Sequence, residues 1–338
     1  MKINQRLFDH YNIDTQKDLG MKVRCSRPFD TVLIDKFGSC YACECTAWLP
    51  QSIGNLQVKP LSDIIGSNTH RMLTASIDDG TYRYCNSDQC PYLRTNAVEH
   101  TQDGVLVKEL RLAIDDSCNL RCPSCRNGLT FHKSGSQFNT RIKLADRVNE
   151  WLNTQEHPLT VHVGADGDPF ASHIYRHFMA NTPSRDNINY SILTNALMFQ
   201  EFHTSVPHVI SNLKTLGVSI DGACKETYEK LRLGGKWDKI LEGLECISAA
   251  KNKHQFVFDM HMVVQQDNYH EIEKMAQLCR RYGADRLYLN RIQDWQTGMD
   301  FHKQTFASDP EFVKSIDRLG EKYDLKAGED LVVFNNVT

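Results

Sequence analysis

Three cysteines, Cys118, Cys122 and Cys125, stand in the run Asp116-Ser117-Cys118-Asn119-Leu120-Arg121-Cys122-Pro123-Ser124-Cys125. Thiolates at this C-x3-C-x2-C spacing can hold a [4Fe–4S] cluster by three of its irons, which leaves the fourth iron open to chemistry. A structural zinc takes four protein ligands, and this run holds no fourth Cys or His. The apolar stretch Leu110–Ile114 just before it reads as a strand. That puts the cysteines at a strand's carboxyl end, where α/β barrels keep their chemistry. The bland alternative for a short cysteine pattern is a zinc knuckle or incidental thiols.

The elements that must position this run alternate in type. Strand patterns fall at 110–114, 159–163, 189–193, 215–220, 256–264 and 286–290. Apolar stripes at helical spacing lie between them. They include Ile142, Ala145, Val148, Trp151 and Leu152, then Trp237, Ile240, Leu241, Leu244 and Ile247, then Ile272, Met275, Ala276 and Cys279 with Gly283 as the stop. Six β/α repeats predict a parallel sheet curled toward a partial (β/α)6 barrel, an α/β class. A small cysteine-rich module precedes it. Thr31–Asp35 reads as a strand and Lys36-Phe-Gly38 as the turn of a hairpin. One short helix is expected from Ser62 to Leu73. The predicted organisation is an arm over 1–24, the cysteine-rich module over 25–107, the barrel over 108–292 and a helical extension over 293–338. In that extension Pro310 opens a helix burying Phe312, Val313, Ile316 and Leu319.

The chain has 338 residues, 41% of them hydrophobic, and a net charge of −3. A packed core is expected, and nothing basic enough for a large nucleic-acid surface is present. No apolar run approaches a membrane span and the N-terminus has no apolar signal core, so the expected location is cytoplasmic. Nine of the twelve cysteines fall within the first 125 residues. In a reducing compartment metal binding accounts for such a density better than disulfides do.

Several glycine- and polar-rich turns follow the strands. They are Gly164-Ala-Asp-Gly167-Asp168-Pro169, then Thr194-Asn195, then Ser219-Ile-Asp221-Gly, with Arg232-Leu-Gly-Gly further on. Taken with the cysteine triplet, these motifs in this order over about residues 108–292 resemble the radical S-adenosylmethionine (SAM) superfamily. The resemblance implies that Cys118, Cys122 and Cys125 bind a [4Fe–4S] cluster whose open iron chelates SAM. Gly167, Asp168 and Pro169 look like a variant of the family's Gly-Gly-Glu turn, whose backbone holds the SAM amino group. Thr194 and Asn195 are expected to face the cofactor. Ser219 and Asp221 are expected on its ribose or methionyl part, and Arg232 on its carboxylate. Strand-end and surface roles are the plain alternatives for these residues. Asn290 or Arg291 is a candidate for facing the substrate. One departure is Ser124, where many members have an aromatic residue.

Cys25, twelve residues, Gly38, four residues, Cys43, then Cys85 and Cys90, resembles the auxiliary-cluster modules called SPASM and twitch. The implied ligand set is Cys25, Cys43, Cys85 and Cys90 for a second [4Fe–4S] cluster, with Cys40 and Cys45 as substitutes. A zinc ribbon is the alternative. Such modules usually follow the barrel, whereas here the cysteines precede it.

The resemblance implies an enzyme that reductively cleaves SAM to a 5′-deoxyadenosyl radical and abstracts hydrogen from a small-molecule or peptide substrate. Oxidation or modification of a peptide or sugar-like substrate is the leading reading. Its electron donor would be a flavodoxin or ferredoxin. A redox-neutral epimerase is an alternative, with Cys224 as a candidate hydrogen donor. A non-catalytic iron–sulfur or zinc scaffold, or an electron carrier, is another.

Overall fold

The structure, a computed structural model, describes residues 25–95, 104–294, 296–304 and 331–336. The expected arm over 1–24 and the helix after Pro310 lie outside the described residues. The chain divides into two compact units. One runs up to Ile114 and takes in Asn139–Val161; the other comprises Asp115–Phe138 and the chain from His162.

In the first unit the expected hairpin forms. Strand β1 (Thr31–Asp35) is buried at all but its last residue, and β2 (Ser39–Tyr41) pairs antiparallel with it. Asp35 closes the turn by accepting from the Phe37 and Ser39 amides, both at 2.8 Å. Gly38 supplies the left-handed backbone there (φ 77°). Strand β3 (Ser52–Asn55), not foreseen in the sequence, pairs antiparallel with β2. On its other edge β1 pairs parallel with β4 (Glu109–Ala113), Thr31 opposite Glu109. The single helix expected over 62–73 is two, Leu61–Ile64 and Asn68–Asp78. Gly66 at φ 74° breaks the first, and the Ser67 hydroxyl caps the second by accepting from His70 N.

Strand β5 (Leu159–Val163) begins in the first unit and ends in the second. In the second unit β6 (Ile188–Thr194), β7 (Leu213–Ser219), β8 (Val257–Val264), β9 (Arg286–Arg291) and β10 (Val332–Asn336) follow in that order, each parallel to the next. The helices Trp237–His254 and Ile272–Tyr282 sit between strands as the stripes predict, the second stopped by Gly283 at φ 69°. The fold is the expected α/β class, a partial barrel whose sheet stays open, with β10 as its last strand.

The strands from β7 to β9 have two unlike faces. Leu216 and Val218, Phe258, Met260, Met262 and Val264, and Leu287 and Leu289 form a wholly buried apolar face. Each such side chain contributes about 1.5–3 kcal/mol by leaving water. The alternate positions carry the polar side chains Ser219, then Asp259 and His261, then Arg286, Tyr288 and Asn290, alongside Gly217, Val257 and Val263.

Candidate functional site

The cysteine loop follows β4 and is tied down within the second unit. Asp115, fully buried, accepts from the Ser172 hydroxyl at 2.6 Å, and Ser172 in turn caps the helix His173–Asn181. Asp116 accepts from Arg126 Nη1 through its carbonyl (2.8 Å) and pairs with His132 Nε2 through its carboxylate (2.9 Å). Cys118 N donates to Thr130 O at 2.9 Å, which closes the loop on itself. Cys118 and Cys122 are buried and Cys125 is exposed.

The turn after β5 is fastened to this loop. Gly167 has φ 73°, and a Cβ there would stand 2.5 Å from Ser117 O, so only glycine fits. Asp168 N donates to that same carbonyl at 2.8 Å. The Asp168 carboxylate, 1% exposed, then collects four donors. Oδ1 accepts from Phe170 N (3.1 Å) and Ala171 N (3.0 Å); Oδ2 accepts from Thr194 Oγ1 (2.8 Å) and Asn195 N (2.7 Å). Burial pushes this carboxyl up from the ordinary aspartate value, and the donors pull the other way. A Cβ at Gly164 would stand 2.7 Å from the Pro169 ring and 2.5 Å from Leu193 O, so this position also requires glycine.

The expected site residues thus assemble, with more specific partners than their types indicate. Thr194 spends its proton on Asp168. Asn195 Nδ2 donates to Asn119 Oδ1 (2.7 Å) and reaches Cys118 Sγ (3.7 Å). Asp221, at φ 55°, accepts from Val263 N at 2.7 Å and lies 2.8 Å from Arg232 Nε in an ion pair. Arg232 Nη1 also reaches Cys122 Sγ at 3.9 Å. Burial works against the Arg232 charge, but Asp221 and Cys122 more than offset it. Asp221 and Arg232, expected on separate parts of a ligand, therefore hold each other. The Ser219 hydroxyl has no hydrogen bond among the described residues. Cys224 donates to the buried Glu271 carboxylate at 2.9 Å, and Thr227 shares that acceptor.

The thiols show what the loop is suited to hold. Burial pushes Cys118 up to about 11, with Asp168 adding and Arg126 opposing. Burial also raises Cys122, against the pull of Arg232. Left empty, these are neutral thiols. Two guanidiniums beside them, and the Leu120 amide donating to Cys118 Sγ at 3.4 Å, favour thiolates once a metal replaces the protons. The described residues bring three potential ligand atoms within 4.8 Å of one another only at Asp115, Asp116 and His132. Thiolates on one zinc, at Zn–S of about 2.3 Å, stand roughly 3.8 Å apart. Three cysteines without a fourth protein ligand in the run suit thiolates on separate irons of a cubane better than a four-ligand zinc.

In the first unit Cys25, Cys43, Cys85 and Cys90 lie within electrostatic reach of one another. Burial raises all four, Cys25 to about 11 and Cys43 to about 12. Cys45 acts on Cys90, whereas buried Cys40 turns its sulfur to Gly38 O at 3.6 Å. Glu44 sits beside Cys43 and Cys90 and is bridged by Arg111 (2.9 Å) and Arg27 (3.7 Å).

Sequence reasoning missed Arg126, the Asn119–Asn195 pair and His261. Arg126 was readable as a cation next to the last loop cysteine. His261 was readable as a polar residue inside the apolar run of β8.

Residues 114–279 match the family model described as the Radical SAM superfamily. The matched region, a little under half of the chain, is a radical SAM domain, and that family implies a [4Fe–4S] cluster and SAM. The chain is 26% identical over 145 residues to the GTP 3',8-cyclase of Alkaliphilus oremlandii, covering 42% of this chain and 43% of that one. It is 20% identical over 215 residues to a probable GTP 3',8-cyclase of Methanococcus maripaludis, covering 63% of this chain and 68% of that one. The match thus spans less than half the length of the first relative. Among solved structures, Streptococcus suis SuiB bound to precursor peptide SuiA aligns with a TM-score of 0.47 at 11% identity, over 78% of this chain and 61% of that one. Native anSMEcpe with bound AdoMet aligns with a TM-score of 0.47 at 18% identity, over 67% and 63%. Among the described residues no helix is long and apolar enough to cross a membrane.

Proposed function

We propose that this chain is a radical SAM enzyme that oxidises or otherwise modifies a peptide or sugar-like substrate. The observation that carries this reading is the cysteine loop itself. Its three thiols are bracketed by Arg126 and Arg232 and fastened through Ser117 to the clasped turn at Asp168. When bound, the cluster and SAM supply a 5′-deoxyadenosyl radical that abstracts a substrate hydrogen, with the electron coming from a donor such as flavodoxin or ferredoxin.

The chain's own residues bind and orient. Cys118, Cys122 and Cys125 would hold the cluster. The backbone of Gly167, Asp168 and Pro169 lies beside Ser117, where it can meet the SAM amino group. Ser219 offers an unspent hydroxyl to the ribose or methionyl part. Arg232, anchored on Asp221, keeps its remaining N–H groups for the carboxylate. Asn195 and Asn119 orient each other against Cys118 Sγ.

The reading includes a second [4Fe–4S] cluster on Cys25, Cys43, Cys85 and Cys90, which would take the electron from the substrate radical. Their mutual influence supports reading the four as one ligand set.

The test is anaerobic reconstitution with iron and sulfide, followed by SAM and dithionite. Release of 5′-deoxyadenosine is expected; none from a fully loaded protein would favour the scaffold reading. Cys118→Ala/Cys122→Ala/Cys125→Ala should retain about four irons on the N-terminal set. Retention of about one metal, as zinc, would overturn the second cluster.

A further inference from the structure

One residue on the polar face of the second unit has no part in the roles above. His261 lies in β8, in register with Ser219 of β7 and Tyr288 of β9. Its ring stacks on Tyr288, with centroids 4.7 Å apart and planes 7° from parallel. Gly217 makes room for it, since a Cβ at that position would stand 2.9 Å from His261 Nε2. Arg286 forks onto Asp259 with both contacts at 2.6 Å, and its guanidinium carbon lies 5.6 Å from the Tyr288 ring centre. The imidazole is held by stacking and shape. Its nitrogens have no hydrogen bond among the described residues.

The surroundings decide what this group can bind. Burial, with Arg286 and Arg232 adding, pushes the imidazole down to about 4. It is therefore neutral near pH 7, with one nitrogen donating and the other accepting. Arg232 also touches Cys122 Sγ, so the ring stands near the cluster loop. The charged side chains on the polar faces of β6 to β9 are Asp259 and Arg286, and they neutralise each other. A phosphate or carboxylate would need an unpaired cation, because a neutral imidazole offers one donor and no charge.

We propose that His261 is a substrate-binding residue that takes an uncharged hydrogen-bonding group, a hydroxyl or an amide, of a neutral polar substrate. This rests on the radical SAM reading above. The bound group would lie beside Ser219, and so beside the cofactor.

The test uses the reconstituted, full-length protein with SAM and dithionite. Two probes carry deuterium on their side-chain carbon, N-acetylserinamide and its O-phosphorylated form. A probe bound beside His261 loses deuterium to the 5′-deoxyadenosyl radical. Its C–D bond breaks, the C5′–D bond of 5′-deoxyadenosine forms, and the unpaired electron stays on the probe carbon. Mass spectrometry reads the fraction of 5′-deoxyadenosine that carries deuterium. The neutral probe should give label and the phosphorylated one little. His261→Phe should lower the labelled fraction about tenfold, as for one lost buried hydrogen bond. His261→Gln, which keeps a donor and an acceptor, should restore part of it. Binding is read separately by the imidazole 15N shifts of histidine-labelled protein titrated with N-acetylserinamide. A His261→Phe fraction equal to the parent's, preference for the phosphorylated probe, or label from neither probe would overturn the proposal. A loaded parent that releases no 5′-deoxyadenosine would overturn the enzyme reading, and this inference with it.

Discussion

Replacing Asp168 by Asn changes one oxygen to an NH2 group at the centre of the clasp. In the parent, each carboxylate oxygen accepts two hydrogen bonds, Oδ1 from the β5 turn and Oδ2 from Thr194 and Asn195 at the end of β6. The amide can be placed two ways. With Nδ2 toward Phe170 and Ala171, two backbone N–H groups lose their acceptor. With Nδ2 toward Thr194 and Asn195, the threonine hydroxyl can turn to accept, so only the Asn195 amide is stranded. The second orientation costs less. It still loses one charge-assisted bond and sets one N–H against another, about 2–4 kcal/mol, given roughly 1.5–3 kcal/mol for a hydrogen bond to a charged group.

Urea denaturation of the anaerobically loaded protein, followed by circular dichroism, measures this loss. With a urea dependence of about 3 kcal/mol per molar, the midpoint should fall by about 1 M. Iron content should fall as well, because Asp168 N holds Ser117 O, next to Cys118. An Asp168→Asn protein with the parent's midpoint and iron content would refute the clasp. The carboxylate would then be a replaceable acceptor, and the order of this turn would have another cause.

Two further changes read other parts of the site. Gly167→Ala should cost about 1–2 kcal/mol for its backbone conformation alone, and more because its Cβ meets the Ser117 carbonyl at 2.5 Å. Gly80→Ala, at φ 75° with open space around its Cβ, should show only the conformational cost, and equal losses of stability and iron in the two variants would sink the close-approach argument. His261 has a folded value of about 4, below its unfolded value of about 6.5, so the unfolded chain binds the extra proton between those two values. Stability should therefore fall as pH falls through that window. This residue should account for about 2 kcal/mol of the loss between pH 7 and 5, which His261→Phe removes. Parallel loss in parent and variant would show an imidazole that titrates normally.

The strands β4 to β9 were legible because parallel strands buried on one face leave apolar runs, as in Val257–Val264. The cysteine loop was legible from spacing alone. The partnerships were not. Asp221 and Arg232 are eleven positions apart, and their types suit a ligand as well as each other. Their pairing depends on a left-handed backbone at Asp221, which a non-glycine residue rarely adopts and which no pattern announces. Strand β10 was illegible for another reason. Its run Val332–Asn336 is short and ends in two asparagines, so only its pairing with β9 makes it a strand.

Those partnerships bear on how the loop can work. It is held from two directions by unlike bonds. From the β5 side, the Asp168 amide meets Ser117 O, one residue before Cys118. From the other side, Leu233 O, just past the helix Lys225–Leu231, accepts from the Arg121 amide at 3.0 Å, one residue before Cys122, while neighbouring Arg232 meets Cys122 Sγ. Each buried cysteine thus has a backbone anchor immediately before it, one from the turn after β5 and one from the segment after the helix Lys225–Leu231. Exposed Cys125 is tied mainly through its own turn, its amide donating to Cys122 O at 2.9 Å. Two rigid ligands and one at the solvent edge fix the orientation of anything bound across all three. They also leave Cys125 as the exposed member of the three. Substituting an anchor outside the triplet should therefore disturb the loop nearly as much as substituting a ligand, as the Asp168→Asn and Gly167→Ala tests require.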